Sequence, residues 1–124
     1  MKQHKYQLIR VHVPEPGASV RFTGETDRSY GRLAGIFVAM PEPIKEIGAA
    51  LGLKIGGQEI FDDEHDVRLL TCGREVAPND KFYQFPEHIE AGGASIEGRL
   101  VDVANNDQGY PFEARIILHL VSEK

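Results

Sequence analysis

Short apolar runs alternate with turn clusters along the whole chain. The clusters are Pro14-Glu15-Pro16-Gly17, Gly24-Glu25-Thr26-Asp27, Pro41-Glu42-Pro43, Gly56-Gly57, Cys72-Gly73, Pro78-Asn79-Asp80, Gly92-Gly93 and Asn105-Asn106-Asp107-Gln108-Gly109. Glycine and asparagine supply the positive φ of tight turns, and proline cannot donate to a central ladder. Between the clusters, apolar residues recur with period two. Ile9, Val11 and Val13 alternate with Arg10 and His12, and Val20 and Phe22 with Ser19, Arg21 and Thr23. Leu51, Leu53 and Ile55 lead into Gly56-Gly57, a two-residue hairpin signal before Gln58-Glu59-Ile60-Phe61. Phe112, Ala114, Ile116, Leu118 and Leu120 form the longest strict alternation.

Two segments depart from simple alternation. Leu33 to Met40 is nearly continuously apolar, as expected of a strand covered on both faces. The stretch from Ile96 changes phase after Leu100, when Val101 and Val103 take over, which predicts a bulge near Leu100. Val67–Leu70 and Phe82–Phe85 are shorter strand candidates. Ile44, Ile47, Gly48 and Leu51 are the one set with helical spacing, behind Pro43, and predict at most one short helix. The expectation is an all-β, two-sheet antiparallel β-sandwich of eight or nine strands, jelly-roll-like, in a single domain over residues 1–124. Many viral coat subunits and lectin-like modules share that architecture, a likeness of plan that rests on strand number and period alone.

Size and charge narrow the function. A chain of 124 residues buries roughly two-thirds of its unfolded surface, enough for one core without staples. Its net charge of −5 and the lack of any basic run argue against a nucleic-acid partner. The longest apolar stretch is too short to span a bilayer as a helix, so membrane insertion is not expected. Cys72 is the single cysteine, which rules out an intrachain disulfide. Met1 to Lys5 lacks the apolar core of a signal peptide, and the expectation is a protein made in a cytoplasm.

Catalytic patterns are missing. No nucleophile elbow, phosphate-cradling glycine loop or zinc-spaced histidine pair is present, and Cys72 has only Arg74 nearby to activate it. The densest polar group is Asp62-Asp63-Glu64-His65-Asp66. In an extended strand, Asp62, Glu64 and Asp66 share one face and offer oxygen ligands to a hard cation such as Ca²⁺. The bland alternative is a solvated acidic turn. No other cofactor is expected. Of five histidines, His12 and His119 occupy polar phases of the first and last long strands and would meet if those strands were neighbours. Tyr30, Tyr83 and Tyr110 lie near strand ends, where rings can stack on a carbohydrate, although the usual Trp is lacking.

The leading expectation is a non-catalytic structural or assembly subunit, for instance a small coat or accessory protein incorporated into a phage or virus particle. Such a subunit would self-associate, or join other structural subunits, through the second faces of the apolar strands. Phe37, Ile117 and Val121 are the candidate interface residues. The alternatives are a carbohydrate-binding, lectin-like module using the three tyrosines, and a small metal-dependent β-barrel enzyme built on His65 with Asp62, Glu64 or another histidine.

Overall fold

The computed structural model describes residues 2–15, 17–39, 49–66, 82–102 and 111–123. They form eight strands: β1 (Lys2–Val13), β2 (Ser19–Glu25), β3 (Arg32–Ala39), β4 (Ala49–Ile55), β5 (Gln58–Asp66), β6 (Tyr83–Glu90), β7 (Ser95–Asp102) and β8 (Phe112–Glu123). A first sheet has the order β1-β8-β3-β6 and a second the order β2-β7-β4-β5, with antiparallel pairing. The chain is therefore all-β, with two four-stranded sheets in a sandwich-like arrangement and no helix among the described residues.

The pairings nest. β1 pairs with β8, β2 with β7, β3 with β6, and β4 with β5. That is the pattern of one long hairpin whose tip is the turn between Ile55 and Gln58. Gly56 and Gly57 both have positive φ there, 59° and 83°, as the tight hairpin turn requires. Every connection except β4–β5 passes from one sheet to the other. Two further ladders, β3–β8 and β4–β7, complete the sheets.

The core lies between the sheets and is drawn mainly from their inner strands. Leu33, Ile36 and Val38 of β3 and Ile116, Leu118 and Leu120 of β8 face Leu51, Leu53 and Ile55 of β4 and Ile96 and Leu100 of β7. Each fully buried Leu or Ile contributes about 1.5–3 kcal/mol. Polar clasps hold the edges. Buried Thr26 receives the Ala94 N–H on its hydroxyl at 2.8 Å and donates to the Ala91 carbonyl. Lys5 and Gln7, on the inner phase of β1, reach the chain at the end of β2. Lys5 donates to the Asp27 carboxylate, and Gln7 Nε2 donates to the Glu25 carbonyl at 2.8 Å. That shared bond raises the Lys5 pKa and, with the Ser29 N–H, lowers that of Asp27.

One local expectation changes. The bulge near Leu100 is absent: β7 keeps an unbroken register with both β2 and β4. The inward phase continues through Leu100 to Asp102, a buried carboxylate that accepts the Gly17 N–H at 2.9 Å, while the Asp102 N–H donates to the Ala18 carbonyl at 2.9 Å. A polar residue at an inward position thus made a continuous strand look like a phase change. The register shifts fall instead between Leu33 and Gly35 and between Leu51 and Lys54. Leu51, the last member of the helical set, is a fully buried strand residue of β4. Its other members, and the strand candidate Val67–Leu70, lie outside the described residues.

Gly98 of β7 lies opposite Phe22, whose ring occupies the space a side chain would need. A Cβ added at Gly98 would stand 2.0 Å from Phe22 Cζ. Gly98→Ala is expected to cost about 1–3 kcal/mol of stability by overpacking. Adding Phe22→Ala should make the two losses clearly non-additive in a denaturant double-mutant cycle.

A candidate interaction face on the first sheet

The outer faces of the two sheets differ. On β1 the outward phase is His4, Tyr6, Leu8, Arg10 and His12, all exposed. The β1–β8 register places Tyr6 opposite His119 and Leu8 opposite Ile117, and β3 sets Phe37 opposite Ile117. Leu8, Ile117 and Phe37 thus form one apolar row across three strands. Opposite His119 on β3 stands Gly35, which has no side chain. The Phe82 ring, from the approach to β6, lies 5.3 Å from Tyr6, 5.7 Å from Phe37 and 6.0 Å from His119. Aromatic contacts of this kind contribute about 0.5–1.5 kcal/mol each beyond burial.

Tyr6 remains 55% exposed and Leu8 42% exposed. With Tyr83 of the edge strand β6, they are the exposed large apolar side chains of the described residues, and all three belong to the first sheet. One end of the patch carries a charged rim. Glu113 lies between Arg10, at 3.5 Å, and Arg115, at 3.4 Å. The second sheet instead presents Ser19, Arg21, Thr23, Lys54, Glu97 and other polar residues on its outer side.

His119 is the polar centre of the apolar patch. It stacks on Tyr6, with centroids 4.8 Å apart and planes at 13°, and its Nε2 lies 2.8 Å from His4 Nδ1. β1 and β8 are neighbours, as the pairing of His12 with His119 required, but the partner is different. The antiparallel register sets His12 against Glu113, whereas His4 lies diagonally across from His119, two residues before Tyr6.

The other sequence candidates are dispersed. Phe37 and Ile117 are half-buried in the patch, while Val121 is buried within the chain itself at 2% exposure and offers no open surface. Tyr30 is half-buried before β3, with the Lys5 ammonium 5.9 Å from its ring centroid. Tyr83 opens β6 at the opposite end, opposite Ile36. The two tyrosines are therefore not brought together, and Tyr110 lies outside the described residues. Asp62, Glu64 and Asp66 are in the edge strand β5, whose register with β4 shifts between the Leu51–His65 and Leu53–Phe61 pairs. The side chains of Glu64 and Asp66 lie outside the described residues. Among the described residues no group of three His, Cys, Asp or Glu side chains is placed to hold a metal.

Tyr6, Leu8, His4 and Phe82 were not among the sequence candidates. A signal for the first two was present, because tracing the alternation of Arg10 and His12 backward puts Leu8 and Tyr6 on the same outward phase. A polar cleft of about 740 Å³ opens at one end of the sandwich. Arg32, Gln58, Glu90 and Ser122 contribute to its walls, and Tyr30 and Tyr83 do not.

Burial, and secondarily the charges of His4 and His88, hold the His119 pKa below the ordinary 6.5. Between that lowered value and 6.5 the unfolded chain binds more protons than the folded one. Stability therefore rises with pH across this window and is lost as pH falls through it. Urea unfolding at about pH 7.5 and about pH 5.5 should show this loss, and His119→Phe should remove its own share of the slope. Comparison with known protein families, with curated proteins and with solved structures finds no match to this chain.

Proposed function

We propose that the protein is a jelly-roll assembly subunit that associates with other copies of itself through the outer face of the first sheet. The jelly-roll reading is supported by the order β1-β8-β3-β6 over β2-β7-β4-β5, which a rolled-up eight-stranded hairpin generates. The assembly reading is carried by one observation: the exposed Tyr6 and Leu8 stand with half-buried Phe37, Phe82 and Ile117 on the outer face of the first sheet, while the second sheet presents a polar outer face. A half-covered aromatic cluster with a charged rim has the anatomy of an interface core and its margin. A standard interface takes roughly 800 Å² from each partner, about a tenth of the 7320 Å² surface of this chain. A coat or accessory role in a phage or virus particle is one setting for such a subunit, and a non-catalytic role agrees with the lack of a nucleophile motif.

Light scattering after size exclusion tests the reading. The wild-type chain should run as a discrete oligomer, and Leu8→Lys and Ile117→Lys should each shift it to a folded monomer, because burying an unpaired ammonium is costly. A wild-type monomer, or variants with unchanged mass, would overturn it.

The end cleft favours a second reading, a carbohydrate-binding module. Ser122 is 95% buried in its wall, and Arg32, Gln58 and Glu90 add donors and acceptors. A saccharide that binds there should raise the melting temperature of the wild type but not of Arg32→Ala. Equal shifts in both would place the binding elsewhere.

A further inference from the structure

A hydrogen bond between two imidazoles survives only while one ring keeps a free lone pair. Neutral and singly protonated pairs satisfy this condition. Two imidazolium rings do not, because all four nitrogens then carry protons and the charges repel. The His4–His119 bond of 2.8 Å lies inside the patch that the assembly reading buries. His4 is exposed to solvent protons, while His119 is half-covered between Tyr6 and Phe82.

We propose that this histidine pair is a pH switch on self-association: copies of the chain hold together through the first sheet while the pair is at most singly protonated, and separate when both rings are charged. The proposal rests on the assembly reading above. The groups that face His119 favour such a switch. β1 contributes His4 and Tyr6, β6 contributes His88, β3 presents Gly35 with Arg32 near the end of the sheet, and the approach to β6 contributes Phe82. The charges that bear on His119 are those of His4 and His88, both of which oppose a second proton. Covering the patch with a second copy removes more water from the pair, so association and protonation oppose each other. No third ligand joins the pair among the described residues.

The experiment is sedimentation velocity from about pH 8 to about pH 5, with a chelator present, on the wild type, His4→Gln and His119→Gln. Folding of each is checked by circular dichroism at every pH. Where one extra proton is bound on separation, the wild-type dissociation constant should rise about tenfold per pH unit. Both variants, which keep a hydrogen-bonding side chain and cannot charge, should show a flatter dependence. Association of the wild type that persists unchanged to pH 5 overturns the switch and leaves the assembly reading standing. So does a wild-type dependence that both variants reproduce. A wild-type monomer at pH 8 overturns the assembly reading and the switch with it. If one variant does not fold, the other decides, since each removes one half of the pair.

Discussion

Lys2 to Val13 pairs residue for residue with Glu123 to Phe112, a ladder of two twelve-residue strands without a register shift. It joins segments far apart in the sequence, and the rest of the structure depends on its register. Side chains of a strand alternate between faces. A slip of one residue would therefore turn Ile116, Leu118 and Leu120 out to solvent and bring Arg115, His119 and Glu113 inward. The burial of the β8 core residues against the second sheet is what excludes that alternative. The same register sets Tyr6 opposite His119 and Leu8 opposite Ile117, so the core and the outer patch are consequences of one pairing.

The hairpin nesting explains how so many non-local pairs are compatible. With Gly56-Gly57 at the tip, each step back along the two arms brings the next pair of strands together, and successive pairs lie in alternate sheets. The register shifts in β3 and β4 occur where one arm carries more residues than the other. Pro86 falls within the stretch of β6 where the pairing with β3 is irregular. β6 is an edge strand, and there a residue that cannot donate is tolerated.

The two outer faces have different physical characters. The second sheet resembles an ordinary solvated surface. The first combines exposed apolar rings, a row of aliphatic and aromatic contacts across three strands, and a titratable pair at its centre. Assembly and pH response, as proposed here, use the same few side chains, because the histidines sit on the outward phase of the strands that build the patch.

Much of the fold was legible in the amino-acid pattern. Period-two alternation identified Ile9–Val13, Val20–Phe22, Leu51–Ile55 and Phe112–Leu120 as strands, and Gly56-Gly57 as a hairpin turn, because side-chain alternation and positive φ are local properties. The pattern failed where a residue's place depends on distant partners. Asp102 faces inward because the Gly17 N–H meets its carboxylate. Pairing His119 with His4 rather than His12 depended on register alone, which no single strand encodes. The sequence by itself determined strands, turns and the two-faced character of each strand. Only the tertiary structure decided which outward faces lie side by side, and hence where an interaction surface exists, because adjacency in a sheet is set by long-range pairing.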